Sequence, residues 1–134
     1  MRAGSRTAER VKQPYVLHTV AAADRPEGLT AWAVAYLAPQ DHINIMTYQL
    51  AGGVLYQGLP HQRDYDVTAF GVILGNFSDQ LAGQNMETVL ELNHRFQISE
   101  WLYFTPDIQF VINPNGRNDI NNALVLGIEA CVNF

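Results

Sequence analysis

Hydrophobic and polar residues alternate along the C-terminal part of the chain. Over 86–98 the even positions are mostly apolar and the odd positions mostly polar, and 101–113 and 122–134 repeat the pattern. A period of two residues sends successive side chains to opposite faces of a β-strand, whereas a helix repeats every 3.6 residues. The pattern therefore predicts three strands, each with one apolar and one polar face. The exceptions are Val89, Val111 and Val125 among the polar positions and His94 among the apolar ones.

Clusters of turn-forming residues divide the rest of the chain into segments of similar length. The clusters are rich in Pro, Gly, Asn and Asp, which favour turns and interrupt strands. The segments between them predict seven strands, of which the first has the weakest pattern: 15–22, 29–37, 43–59, 65–77, 86–98, 101–112 and 122–134. Consecutive strands joined by short turns indicate an all-β fold with antiparallel neighbours.

The alternation also predicts how the strands 86–98 and 101–112 pair. Residues opposite each other in an antiparallel pair share a face, so their positions sum to an even number. A three-residue turn at 99–101 gives a sum of 200 and predicts these pairs: Ile98 with Leu102, Phe96 with Phe104, Leu92 with Ile108, Leu90 with Phe110, Asn93 with Asp107 and Glu91 with Gln109. Arg95 then lies diagonal to Asp107, within reach of an ion pair. Pro106 has no amide hydrogen and is expected to disturb the ladder.

The alternation alone does not decide which face meets water, because a soluble barrel has an apolar interior and a membrane barrel an apolar exterior. Strands of 12 or 13 residues are long enough to cross a bilayer at a tilt. The polar faces carry long hydrogen-bonding side chains, and Phe134 closes the last strand. Aromatic residues fall near both ends of the strands, as two interfacial girdles would require. They are Trp32, Tyr56, Phe96, Trp101 and Phe134 at one end and Tyr36, Tyr48, Phe77 and Phe110 at the other. These features favour the membrane barrel.

Composition and charge exclude other classes of protein. The 134 residues suffice for one domain, and 8 basic against 13 acidic residues give a net charge of −5 at pH 7. Nucleic acid is not an expected partner, because its binding needs a surplus of Lys and Arg. Half of the basic residues lie within 1–13, which is predicted to be a disordered segment ahead of a β-strand domain at 14–134. The apolar stretch of a signal peptide is missing after this segment, so none is predicted.

Residues that could carry catalysis or bind a metal are scattered along the chain. The 4 histidines lie in different segments without the spacing of metal ligands, and Cys131 is the single cysteine. No nucleophile motif or phosphate-binding loop occurs. We therefore expect no enzymatic activity, no cofactor and no metal site.

The C-terminal strands resemble those of a known family. Their specific motifs are Glu-Leu-x-x-Arg at 91–95, Trp-Leu at 101–102, Pro-Asp at 106–107 and Asn-Pro at 113–114, followed by the strand that ends in Phe134. They are similar to the C-terminal end of the bacterial carbohydrate-selective porins, the OprB family. The segments 28–36 and 56–67 are similar to the preceding part of such proteins, and the resemblance runs from about Tyr15 to the last residue.

The resemblance implies an antiparallel transmembrane β-barrel of the porin type in the bacterial outer membrane. Such a barrel lets carbohydrates diffuse passively through a water-filled lumen. The implied partners are the lipid bilayer, sugars as diffusing solutes and the barrel-assembly machinery, which would read the terminal Phe134. Family members are several times longer and begin with a signal peptide, so this chain resembles their C-terminal portion. Its six to seven strands would form a partial, unclosed barrel.

The polar and apolar faces supply two sets of candidate residues. The lumen-facing candidates either contact sugars or pair with one another, and Tyr103 is expected to stack on a sugar ring. They are Glu87, Glu91, Asn93, Arg95, Tyr103, Asp107, Gln109 and Glu129. The predicted lipid-facing residues are Leu90, Leu92, Phe96, Leu102, Phe104, Ile108, Phe110, Leu124, Leu126 and Ile128. Two alternatives stay open, namely a soluble up-and-down β-barrel that binds an apolar ligand and a nonfunctional remnant of a porin.

Overall fold

The computed structural model describes residues 15–21, 28–38 and 40–134. These residues form seven strands and one short 3-10 helix, Pro114–Gly116. The strands are β1 (Tyr15–Ala21), β2 (Gly28–Leu37), β3 (Met46–Gln57), β4 (Val67–Phe77), β5 (Met86–Ser99), β6 (Leu102–Ile112) and β7 (Ala123–Val132). All seven predicted strands are thus confirmed, but the last one ends at Val132 and not, as predicted, at Phe134. The segment 1–13, predicted to be disordered, lies outside the described residues.

All the strands belong to one antiparallel sheet. Each strand pairs with its neighbours in the sequence, so the order runs from β1 to β7 and these two strands form the edges. Within the described residues the sheet is unclosed, as predicted. The described residues include no helix of the length and apolar character needed to span a membrane.

The pairing of β5 with β6 confirms most of the predicted register. The pairs Phe96–Phe104, Leu92–Ile108, Leu90–Phe110, Asn93–Asp107 and Glu91–Gln109 all occur. The prediction is wrong at the turn, because Ser99 rather than Ile98 pairs with Leu102. A β-bulge between Gln97 and Ser99 takes up one residue and leaves a two-residue turn, 100–101. The register also skips His94 and Arg95, next to Pro106, which cannot donate to the ladder.

The two faces of the sheet differ in exposure. In β5 and β6 the side chains of the odd-numbered, mostly polar positions are half-buried, whereas many even-numbered apolar side chains are exposed. Phe77, which is 7% exposed, is the one buried hydrophobic residue within 28–38 and 40–134. The sheet therefore encloses no apolar core, and its apolar face lies open.

The connections between the strands gather at the two ends of the sheet. At one end the segment 40–45 and the loops 78–85 and 113–122 are joined by hydrogen bonds. The hydroxyl of Ser78 donates to the carbonyl of Asp41 at 2.7 Å, and the backbone amide of Asn85 donates to the carbonyl of Gly116 at 2.8 Å. At the other end lie the loop 58–66, the turn 100–101 and the exposed Phe134.

Candidate functional site

Four of the predicted lumen residues lie together on the polar face. The register places Glu91 opposite Gln109 and Asn93 opposite Asp107, at the middle of β5 and β6. Along each strand the amide donates to the carboxylate, from Asn93 to Glu91 and from Gln109 to Asp107, both at 2.9 Å. These bonds orient both carboxylates and leave oxygen atoms that can accept further hydrogen bonds.

Three further candidates form a second group nearer the turn 100–101. The hydroxyl of Tyr103 donates to Glu129 at 3.2 Å. The guanidinium carbon of Arg95 lies 5.5 Å from the centre of the Tyr103 ring, within cation–π range. The predicted ion pair between Arg95 and Asp107 is absent from the described residues, because Arg95 covers Tyr103 instead and Asp107 binds Gln109. The diagonal position alone did not determine the partner of Arg95.

The two groups border a recess of about 260 Å³ on the polar face. Its polar lining comes from Glu91, Asn93, Thr105, Asp107 and Glu129. The absence of a side chain at Gly127 leaves space for Asp107, because a Cβ atom at Gly127 would overlap the carboxylate of Asp107. The recess presents many acceptor oxygens and suits a solute with several hydroxyl groups. Among the described residues, no group of three His, Cys, Asp or Glu side chains could hold a metal ion.

Glu87 does not join this site. Its carboxylate accepts a hydrogen bond of 2.6 Å from the backbone amide of Asn115, in the loop 113–122. Asn115 has a positive φ of 59°, and the charge-assisted bond helps to hold this unusual backbone. The geometry therefore gives Glu87 a role in fixing a loop.

Two of the aromatic residues expected in the girdles lie on the polar face of the sheet. The register places Trp32 opposite Gly53 and Tyr36 opposite Gln49, so both share the face of Glu91. Trp32 lies within β2 and not in a girdle at the end of the apolar face. The predicted girdle also fails at Phe77, which is buried. Glycines inside β3 and β4 were the signal that could have located Trp32, because a glycine in a strand often marks a close approach.

A buried carboxylate joins the loop 58–66 to β5. Asp66, which is 1% exposed, accepts hydrogen bonds from two nitrogens of Arg63 and, at 2.9 Å, from the amide of Gln97. His94 Nε2 lies 3.4 Å from the same carboxylate, and His94 Nδ1 lies 2.8 Å from the hydroxyl of Thr68. This group, here called the Asp66 clamp, explains why a histidine interrupts the apolar face.

The pKa of Asp66 reflects opposing effects. Burial alone would raise this pKa, but the hydrogen bonds from Arg63, Gln97 and His94 and the positive charge of Arg63 outweigh it. The pKa of Asp66 is therefore lowered. The carboxylate remains charged at neutral pH and holds the loop 58–66 against β5.

A single antiparallel sheet with one polar and one apolar face is typical of the wall of a β-barrel channel. The family model described as "Carbohydrate-selective porin, OprB family" matches residues 16–134. The chain therefore belongs to the family of OprB carbohydrate-selective porins.

The fold is also similar to a solved structure, that of Pseudomonas putida OprB at high pH. The TM-score is 0.77 at 23% sequence identity, and the match covers 87% of this chain and 34% of that protein. The chain thus spans about a third of the length of Pseudomonas putida OprB. A comparison with curated proteins found no match.

Proposed function

We propose that this chain forms part of the wall of an outer-membrane channel through which carbohydrates diffuse passively. In this proposal the polar face of β5, β6 and β7 lines a water-filled lumen and the apolar face meets lipid. Membership of the carbohydrate-selective porin family supports the proposal. The main supporting observation is the exposed apolar face. An apolar surface of this extent is unfavourable in water and is stabilised by contact with the hydrocarbon of a bilayer.

The soluble alternative requires the apolar side chains to pack together inside a closed barrel. Leu92, Phe104 and Ile128 are 48%, 36% and 74% exposed, respectively. An apolar interior would bury all three, whereas a lipid-facing surface leaves them uncovered in the protein alone. Their exposure therefore supports the membrane barrel over the soluble one.

Passage through the channel would need no covalent chemistry. Sugar hydroxyls would exchange hydrogen bonds with water for hydrogen bonds with Glu91, Asn93, Asp107, Gln109 and Glu129. Hydrogen bonds from Asn93, Gln109 and Tyr103 orient the three carboxylates, so these would offer acceptors at fixed positions.

Closure of the lumen would require further pairing at both edges of the sheet. In lipid each unpaired backbone group costs several kcal/mol, so β1 and β7 would pair with additional strands. The exposed Phe134, just beyond β7, would remain available to the assembly machinery.

A chimeric porin tests the function. Residues 16–134 would replace the structurally matching third of Pseudomonas putida OprB, and the purified chimera would be inserted into lipid vesicles. We expect glucose to enter these vesicles faster than protein-free vesicles, and a larger oligosaccharide to enter more slowly. Swelling in isotonic sugar solutions measures both rates.

The uptake rates can be compared only for chimeras that fold. A heat-dependent shift in electrophoretic mobility shows whether a chimera has folded. Unmodified Pseudomonas putida OprB is the matched control. A folded, inserted chimera that does not admit glucose would contradict the proposed function.

A further inference from the structure

Trp32 lies against two glycines on the polar face. Gly53 is opposite Trp32 on β3, and Gly71 is opposite Gly53 on β4. A Cβ atom built at Gly53 would lie 3.1 Å from Trp32 Nε1, and one built at Gly71 would lie 3.7 Å from Trp32 Cζ2. The indole therefore extends from β2 across β3 to β4. We call these three residues the Trp32 platform.

The two glycines allow the indole to lie close to the sheet. A methyl group at Gly71 would only touch the ring, but a branched side chain would occupy the space of the indole. At Gly53 even a Cβ atom would collide with the carbonyl of Phe70. Because one side of the indole faces these glycines, its other side points away from the sheet toward the proposed lumen.

Polar groups stand beside the platform. Glu91 lies opposite Gly71 on β5, so Trp32, Gly53, Gly71 and Glu91 form one row across four strands. Trp32, Glu91 and Asn93 border a small recess of about 80 Å³. Glu91 and Asn93 also line the larger recess between β5 and β7.

Tyr103, the aromatic residue predicted to stack on sugar, is already engaged. Arg95 covers its ring and its hydroxyl binds Glu129. Among the side chains of 28–38 and 40–134 no cation lies over Trp32, and the indole combines an aromatic surface with a neighbouring carboxylate and amide. A pyranose ring has an apolar C–H face and a rim of hydroxyl groups, which match these two features.

We propose that the Trp32 platform is a sugar subsite, in which the indole stacks on the C–H face of a pyranose while Glu91 and Asn93 bind its hydroxyls. This inference rests on the proposed function and adds a position where the passing sugar is oriented. The hydrogen bond from Asn93 to Glu91 holds the carboxylate beside the indole. Because the recess beside the indole is small, most of the bound pyranose stays in water. Binding is therefore weak, and the sugar can leave.

Tryptophan fluorescence tests the subsite, because the chain has only 2 tryptophans. The full chain is refolded in a zwitterionic detergent without a sugar head group. In Trp101→Phe the emission reports Trp32, and we expect added glucose to shift it to the blue with saturation. In Trp32→Phe the emission reports Trp101, which lies in the turn 100–101, and we expect glucose not to shift this emission. An equal response from both variants, or none from Trp101→Phe, would overturn the proposal.

Variants in the Trp101→Phe background separate the subsite from general effects. Glu91→Gln should raise the half-saturating glucose concentration about fivefold, as expected when a neutral acceptor replaces a charged one in one hydrogen bond. Asp79→Asn, in the loop 78–85, is its control and should leave the titration unchanged. Gly71→Val should abolish the blue shift because its side chain displaces the indole. Its control, Ala123→Val, adds the same side chain to the polar face of β7 and should retain the shift.

Quenching distinguishes failure of the subsite from failure of the proposed function. In lipid vesicles, Trp32 should be quenched by aqueous iodide and not by lipids with brominated chains. Quenching by iodide without a glucose response would reject the subsite and leave the channel proposal intact. Quenching by the brominated chains would place Trp32 in lipid and reject both.

Discussion

Replacing Asp66 with asparagine is expected to lower the free energy of unfolding at neutral pH by about 2 kcal/mol. The substitution keeps the shape of the side chain but removes the charge that accepts hydrogen bonds from Arg63 and Gln97. It also leaves Arg63 facing a neutral amide. Urea unfolding of the refolded chain in detergent measures the difference. Asp64→Asn, an exposed carboxylate in the same loop, is the control and should change stability by less than about 0.5 kcal/mol.

The stability difference between the wild type and Asp66→Asn is expected to depend on pH. The pKa of Asp66 is lower in the folded chain than its ordinary value of about 4 in the unfolded chain. The ionised carboxylate therefore contributes its full stabilisation above about pH 4 and loses it as the pH falls through the lowered folded pKa. The stability difference between the wild type and Asp66→Asn should shrink across this acidic range. A difference that stays constant down to pH 2 would contradict stabilisation of the loop by the charge of Asp66.

Replacing Gly116 with alanine is expected to destabilise the chain by about 2 to 4 kcal/mol. Gly116 has a φ of 66°, which costs an L-residue about 1 kcal/mol. The added Cβ atom would also press on the ring of Phe77 and lie 3.0 Å from the backbone of Asn85. Overpacking of this kind adds about 1 to 3 kcal/mol. Urea unfolding in the same detergent measures the total.

Gly83→Ala separates the two contributions. Gly83 has a φ of 76°, but a Cβ atom there would meet no other atom within 4 Å. It should therefore show only the backbone cost of about 1 kcal/mol. Equal losses in the two variants would contradict the close packing of the loops 78–85 and 113–122.

The sequence predicted the strands and the central register because both follow from side-chain alternation. A shift by one residue would have moved Leu92 and Phe104 to the polar face, so the alternation allowed only registers with an even sum, and the assumption of a short turn selected the sum of 200. The turn was not predictable in this way. A three-residue turn and a two-residue turn with a bulge give the same pairing beyond the bulge, and the alternation does not distinguish them.

The contacts of individual polar residues were less accessible from the sequence. Arg95 had an aromatic ring and a carboxylate within reach, and the strand pattern gave no measure of their relative strength. The Asp66 clamp joins residues about 30 positions apart, through a loop whose path no periodicity describes. The histidine in the apolar pattern of β5 was the available signal that a polar partner approaches that face.

A cysteine scan of β6 tests the central claim that one face of the sheet meets water and the other meets lipid. In a Cys131→Ser background of the chimeric porin, single cysteines would replace successive residues from Leu102 to Ile112, and the chimera would be inserted into lipid vesicles. A charged, membrane-impermeant maleimide should label the odd positions 103, 105, 107, 109 and 111 rapidly and the even positions 102, 104, 108 and 110 slowly. Uniform labelling along β6, or faster labelling of the even positions, would contradict the account.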